Sequence, residues 1–236
     1  MKGILYLIPS MLGDIAPVDI SVPPLIKEIV NLIDNYIVES EKSSRRFLIK
    51  CGVKKPIDEL NFYLLNEHSK AEDCKKYILP LLEGKNMGLI SDAGCPAIAD
   101  PGAEIVALAH NKGIRVVPLT GASSIMLALM ASGFNGQKFS FHGYLPVERN
   151  ERIKKIKELE QESQAKKQTQ IFIEAPYRNQ KLAEDILQNC KQETLLCIAC
   201  DITLPTEFIH TKNILQWKKQ VPEINKRPIV FLIYAE

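Results

Sequence analysis

No apolar stretch among the 236 residues is long enough to span a bilayer. No secretory leader pattern and no regular cysteine framework are evident. The six cysteines are therefore expected as reduced thiols in a cytoplasmic protein. Neither charge sign dominates, since the formal net charge is +2, so bulk charge neither favours nor excludes a nucleic-acid partner. No internal repeat is present, and only the polar run Glu158 to Gln170 reads as low in complexity. The cysteine spacing excludes a zinc ribbon. Cys197-Ile-Ala-Cys200 matches C-x-x-C formally, but it lies in Thr194 to Asp201, an apolar run that reads as a buried strand. No metal site is expected. What the chain does have is apolar content: 46% is ample for one large domain or two small ones.

The most informative stretch is Gly88-Leu-Ile-Ser-Asp-Ala-Gly-Cys-Pro-Ala-Ile-Ala-Asp-Pro-Gly102. A short apolar run ends in Asp92, and a loop holding Gly94, Pro96, Pro101 and Gly102 leads into a helical pattern. In an open α/β sheet, the carboxyl ends of strands are where ligands bind. Asp92 can bond a ligand hydroxyl or ammonium, Gly94 permits close backbone approach, and the prolines stiffen the loop. An ordinary strand-to-helix connection, with Asp100 as cap and Pro101 as first helical residue, accounts for Asp100 to Gly102. It leaves Asp92 to Pro96 unexplained. A second punctuated segment follows the strand Ile114 to Val117: Pro118-Leu-Thr-Gly-Ala-Ser-Ser124, then an apolar helix that reads as buried. One hydroxyl suffices for a cap, yet Thr120, Ser123 and Ser124 all lie near that helix start, where free amides suit an anion.

The first half alternates strand and helix. Strands are expected at 3–8, 36–39, 61–65, 87–91 and 114–117, with helices at 24–34, 44–51, 71–82 and 103–111. That pattern indicates a parallel sheet covered on both faces. The second half starts again, with helices at 123–132, 149–161, 179–189 and 214–219 and strands at 139–142, 170–174, 195–201, 207–210 and 228–234. Its consecutive late strands indicate a mixed sheet. The fold class is α/β with two α/β domains, 1–117 and 118–236.

Asp92 to Gly102 followed by Val117-Pro-Leu-Thr-Gly-Ala-Ser-Ser124 resembles the tetrapyrrole methylase superfamily. Ser132-Gly-Phe134, Phe139-Ser-Phe-His-Gly-Tyr-Leu-Pro146, Ile171-Phe-Ile-Glu-Ala-Pro-Tyr-Arg178 and Glu67-His68 bring it closer to one branch, the ribosomal RNA small subunit methyltransferases I. The resemblance implies two domains of the tetrapyrrole methylase type, S-adenosyl-L-methionine in the cleft between them, and a homodimer. Carried over by position, Asp92, Ala93, Gly94, Pro96 and Ile98 form one side of the cofactor pocket, and Thr120, Gly121, Ser123 and Ser124 the next. The second domain adds contacts around Phe172 to Ala175. The chain departs from the family in two N-terminal loops. Ser10-Met-Leu-Gly-Asp14 stands where the family reads Thr-Pro-Ile-Gly-Asn, and Val38-Glu-Ser-Glu-Lys42 where the branch reads Ala-Glu-Asp-Thr-Arg. Cys95, Ala122 and Tyr177 replace a threonine, a proline and a histidine.

Methyl transfer from a sulfonium is an in-line displacement for which the protein supplies position and desolvation. A hydroxyl acceptor must also lose its proton. Glu39, Glu41 and Glu174 are candidates for that role, each at or just past a strand's carboxyl end. Lys42, Arg45, Arg46 and Arg178 can hold phosphates, although the first three equally suit a solvated helix face and Arg178 can pair with Glu174. His68 and His142 are either acid–base or structural groups. The basic run Arg149 to Lys157, with Ile153, Ile156 and Leu159 as its buried stripe, reads as a solvated amphipathic helix suited to a weak RNA contact. The leading function is methylation of ribosomal RNA, at a ribose 2′-hydroxyl by family precedent, with the small ribosomal subunit as partner. Tetrapyrrole carbon methylation and a catalytically silent cofactor-binding role are the alternatives.

Overall fold

The structure, a computed structural model, describes residues 1–66, 69 and 71–236. The chain divides into two compact units, Met1–Ser123 and Ser124–Glu236.

In the first unit the strands are β1 (Ile4–Ile8), β2 (Asn35–Val38), β3 (Asn61–Leu64), β4 (Met87–Ile90) and β5 (Arg115–Pro118). They pair in the order β3-β2-β4-β1-β5, every pair parallel. β2 and β4 are buried at every position because helices cover both faces. The edge strands β3 and β5 are partly exposed. Pro118 is tolerated at the end of β5 because an edge strand has no outer neighbour awaiting its amide. The helices are α1 (Val18–Ser21), α2 (Pro24–Val30), α3 (Glu41–Lys50), α4 (Ala71–Tyr77), α5 (Leu79–Leu82) and α6 (Ala103–Asn111), with a 3₁₀ turn at Ile57–Glu59. The single helix expected over 71–82 is broken, because Pro80 has no amide to continue the ladder. α3 begins three residues earlier than the apolar pattern indicates, since Ser40 caps it. Leu5, Ile37, Met87, Leu89 and Ile105 knit the sheet to its helices in one core.

The second unit holds α7 (Ser124–Ser132), β6 (Phe139–Tyr144), α8 (Arg149–Lys166), β7 (Thr169–Ile173), a 3₁₀ turn at Pro176–Arg178, α9 (Asn179–Asn189), β8 (Leu195–Cys200), β9 (Phe208–Asn213), α10 (Ile214–Trp217) and β10 (Ile229–Tyr234). The sheet order is β6-β7-β10-β8-β9; β6 and β7 run parallel and the other pairs antiparallel, a mixed sheet. Cys197 and Cys200 lie on opposite faces of β8, because side chains three apart in a strand alternate. Burial pushes their thiols up to about 11 and about 12. Both are core side chains.

Three expectations are corrected in this unit. The polar run Glu158 to Gln170, singled out as low in complexity, is the end of α8 and the start of β7 rather than a loose connection. Glu160 accepts from the amide of Lys191 at 2.8 Å, and Ser163 Oγ accepts from the amide of Ala235 at 2.9 Å. Arg152 is not on a solvated face: it is 3% exposed, its Nη2 lies 2.6 Å from Asp185 Oδ2, and its Nη1 donates to the carbonyl of Val147. α7 is buried on one face only, since Met126 and Met130 are exposed.

The Arg152–Asp185 pair yields the first prediction. Removing one member of a buried pair strands the other charge, which costs about 3–5 kcal/mol. Asp185→Ala should lower the stability of the second unit to denaturant by that amount, read by Trp217 fluorescence because this single tryptophan lies in that unit's core. A loss below about 1 kcal/mol would show that Arg152 finds other partners.

Candidate functional site

A parallel sheet delivers its loops to one edge, and in the first unit the loops after β1, β2, β4 and β5 meet there. The β4 loop is the most constrained. Gly94 has φ +76°, and Ala97 and Ala99 also sit in the left-handed region, at φ 65° and 60°. A non-glycine residue held there costs of order 1–3 kcal/mol, so the surroundings must impose it. Asp100 does so: its Oδ1 accepts from the amide of Ala97 at 2.7 Å and from that of Gly102 at 2.9 Å. Asp100 thus closes the loop, whereas the N-cap position of α6 is Gly102, which corrects the expectation from sequence.

The neighbouring loops are fastened to this one. The amide of Ser10 donates to the carbonyl of Gly94 at 2.9 Å. A Cβ on Gly94 would come within 3.1 Å of Leu12 Cδ2. The thiol of Cys95 donates to the carbonyl of Ala122 at 3.4 Å, so the cysteine supplies a donor to the β5 loop. A Cβ on Gly121 would lie 2.3 Å from Pro9 Cβ, which only glycine avoids. Asp92, Ala93, Gly94, Pro96 and Ile98 are therefore brought to one edge with Thr120, Gly121 and Ser123, while Ser124 begins α7. Ala93, Ile98 and Thr120 are exposed; Gly94 and Pro96 are buried.

Glu39 and Asp92 stand at the adjacent ends of β2 and β4. Glu39 Oε2 accepts from the amide of Asp92 at 3.4 Å. Burial raises the Glu39 carboxyl above its ordinary value; the amide of Asp92 opposes the rise, and the Asp92 and Asp100 charges reinforce it. Burial likewise raises Asp92, against hydrogen bonds from the Ser43 side chain and the Ser40 backbone. The Asp92 carboxylate thus faces the start of α3, a contact invisible in the linear sequence. Arg45 and Arg46 of α3 are engaged. Arg45 lies 2.8 Å from both Glu41 and Asp58, and Arg46 lies 3.3 Å from Asp14. Lys42 is exposed.

The second unit carries its own group at the end of β7. Glu174 Oε1 accepts from the amide of Ala175 at 2.7 Å and from Arg178 Nη2 at 2.6 Å and Nε at 2.9 Å. Of the two readings of Arg178, the structure shows the pair with Glu174. Glu174 Oε2 is buried without a hydrogen-bond partner among the described residues. Phe172 is a core side chain, fully buried and stacked 5.9 Å from Phe231, so the expected side-chain contribution to a ligand is corrected. His142 Nε2 lies 2.6 Å from Gln170 Oε1, a structural partnership. Glu67 and His68 lie outside the described residues.

Among the described residues no group of three or more His, Cys, Asp or Glu could hold a metal ion, and no helix is long and apolar enough to cross a membrane.

Two linked α/β units with a glycine-punctuated loop edge define a class. The family model of the tetrapyrrole (corrin/porphyrin) methylases matches residues 38–216. The chain belongs to this family and is an S-adenosylmethionine-dependent methyltransferase. It is 32% identical over 236 residues to the ribosomal RNA small subunit methyltransferase I of Haemophilus influenzae, a match covering 99% of this chain and 79% of that protein. The protein of the same name from Escherichia coli O157:H7 is 29% identical, over 98% of this chain and 78% of the other. Among solved structures, the fold is similar to uroporphyrin-III-C-methyltransferase from Thermus thermophilus, with TM-score 0.59 and 14% identity over 99% of this chain and 93% of the other. It is also similar to the cobalt precorrin-4 methyltransferase, with TM-score 0.62 and 16% identity over 98% of this chain and 94% of the other.

The raised Glu39 carboxyl gives a signed pH prediction. A folded-state value above the unfolded one favours the protonated form. The stabilising contribution is complete below the ordinary value of 4.5 and is lost as pH rises through the raised value. At neutral pH the ionised Glu39 therefore opposes folding. Glu39→Gln should melt above the native protein at pH 7, and the difference should vanish below the ordinary carboxylate range. A Glu39→Gln protein that melts lower at pH 7 would show that the charge is needed to hold the Asp92 amide.

Proposed function

We propose that this methyltransferase acts on ribosomal RNA of the small subunit, at a ribose 2′-hydroxyl, as a cytoplasmic homodimer. The observation that carries the substrate is the near full-length match to proteins named ribosomal RNA small subunit methyltransferase I. The exposed apolar side chains Met126 and Met130 on α7 support a second copy as partner, because burying such a face against an identical chain removes apolar surface from both.

The loops after β4 and β5 suit the cofactor. Gly94 and Gly121 leave backbone bare of side chain where the loops crowd together, and Ala93, Ile98 and Thr120 present a small, mixed apolar and hydroxyl surface. Asp92, Pro96, Ser123 and Ser124 frame that surface. When bound, S-adenosyl-L-methionine supplies a methyl group on a sulfonium that departs as a neutral thioether. The protein's part is to hold the acceptor oxygen in line and take its proton. Glu39 is the assigned base. Its raised carboxyl is a better proton acceptor than an ordinary carboxylate. As the oxygen–carbon bond forms, the hydroxyl proton passes to Glu39. Glu174 holds Arg178 through two nitrogens, so the guanidinium is pre-oriented rather than flexible. Its remaining N–H groups can take a phosphate.

The test is transfer of labelled methyl from S-adenosylmethionine to small ribosomal subunits from a strain lacking the protein. Label should enter the RNA, and the modified linkage should resist alkaline hydrolysis because a methylated 2′-oxygen cannot attack the phosphate. Glu39→Gln should slow transfer by about 10²–10⁴ while leaving cofactor affinity in place. Light scattering should give twice the chain mass of 26.6 kDa. Absence of label in the RNA, or label in an added tetrapyrrole instead, would overturn the substrate; a monomer mass would overturn the dimer.

A further inference from the structure

Just past the end of β7, the second unit presents an aromatic ring to solvent. Tyr177 lies in the 3₁₀ turn Pro176–Arg178 and is 68% exposed. A single exposed aromatic is commonplace; this one differs in how firmly its surroundings are built. The guanidinium of Arg178 lies 5.4 Å from the ring centroid, within reach of a cation–π contact. That guanidinium is itself held by Glu174, through Nη2 at 2.6 Å and Nε at 2.9 Å, and the Glu174 side chain is 1% exposed.

The segment before β10 is clamped onto the same turn. The amide of Lys226 donates to the carbonyl of Pro176 at 2.9 Å, Asn179 Nδ2 to the carbonyl of Arg227 at 2.6 Å, and the amide of Ile224 to Gln180 Oε1 at 3.3 Å. Asn179 is fully buried, so the central bond of the three is shielded from water. Lys226 sits in the left-handed region at φ 60°, a conformation its surroundings must impose. Arg227 is engaged by Asp201 Oδ2 and the carbonyl of Thr206. Lys226 is exposed, and its ammonium forms no ion pair among the described residues.

We propose that the Tyr177 ring is a stacking platform for an unpaired base of the RNA substrate, and that Arg178 and Lys226 take the phosphates beside that base. This rests on the ribosomal RNA reading above and names a contact surface in the second unit. Surfaces that hold single-stranded RNA combine exposed aromatic rings with cations that track the backbone, because every base has a flat π-face. The turn and its clamp supply one ring and two cations, from two segments of chain. A peptide partner fits less well, since stacking calls for a planar group and the two cations call for repeated anions. An exposed ring encloses nothing, so it grips a base by its face and reads no edge. That suits a nucleotide flanking the reacting one, whose own oxygen must be held in line. Glu174 and the clamp fix the turn before RNA arrives, which lowers the ordering lost on binding.

The test uses the full-length protein and two probes of equal charge, a short oligouridylate and the matching abasic ribose-phosphate strand. The native protein should bind the base-bearing strand about tenfold more tightly. Tyr177→Ala should remove most of that preference, leave the salt dependence unchanged and raise the KM for small subunits with kcat retained. Tyr177→Phe should behave as the native protein, because the ring and not the hydroxyl stacks. Lys226→Ala should keep the preference for bases and flatten the salt dependence by about 0.7 of a unit of slope, the single-strand value for one phosphate. Tyr177→Ala should also keep the melting temperature and the affinity for S-adenosylhomocysteine, because the position is exposed. Equal affinities of the native protein for the two strands, or a native preference in Tyr177→Ala, would overturn the platform. So would a Tyr177→Ala protein whose mass in light scattering falls, which would give the ring to a subunit interface. Failure of the ribosomal RNA reading shows separately, as native protein that transfers no label to subunits, and the strand comparison then still decides the platform.

Discussion

Two hydrogen bonds to one carboxylate oxygen hold the rest of the functional edge in place. Asp100 Oδ1 accepts from the amides of Ala97 and Gly102 and so fixes a loop in which Gly94, Ala97 and Ala99 are all left-handed. The two alanines alone store roughly 1–3 kcal/mol each. A loop released from Asp100 would relax toward ordinary backbone angles. Gly94 would then move, and with it the carbonyl that receives the Ser10 amide, the approach to Leu12 and the Cys95 bond to Ala122. The loops after β1 and β5 take their positions from the loop after β4. Rigidity of this kind lowers the ordering required when a ligand binds.

The parallel sheet makes such an arrangement available. β1, β2, β4 and β5 all end at the same edge, so Ser10, Glu39, Asp92 and Thr120 converge although they are far apart in the chain. Chemistry is distributed by strand. The ends of β1, β2 and β4 supply Ser10, Glu39 and Asp92, which face polar and titratable surroundings. The loops after β4 and β5 supply bare backbone at Gly94 and Gly121. The second unit uses buried polar pairs for a different purpose. Arg152 with Asp185, and Glu174 with Arg178, orient helices and a turn around a mixed sheet.

Much of this was legible in the sequence, and the reasons for the remainder are physical. β2 and β4 read clearly because strands covered on both faces are apolar at nearly every position. The loops at 92–102 and 118–124 stood out through their glycines and prolines. Ala97 and Ala99 gave no sign of their backbone strain, because alanine does not advertise a left-handed angle as glycine does. Arg152 read as a surface charge because its partner, Asp185, lies 33 residues on. α8 runs to Lys166, past the end expected from its apolar stripe, because its last turns are held by polar partners in distant segments. Asp92 was singled out by its place at a strand's carboxyl end, but its turn toward Ser43 depends on two strands lying side by side. Phe172 was placed at the site by its neighbours in a motif, and strand alternation put its side chain in the core.

The central claim is that close-packed glycine backbone at this edge forms the cofactor's seat. Calorimetry of S-adenosylhomocysteine with native, Gly121→Ala and Gly136→Ala proteins tests it most directly. An added methyl at position 121 meets Pro9 at 2.3 Å, whereas at position 136 it meets open space. The account predicts measurable binding by the native and Gly136→Ala proteins and a large loss in Gly121→Ala with its circular dichroism preserved. No heat from the native protein, or equal affinity in all three, would contradict it.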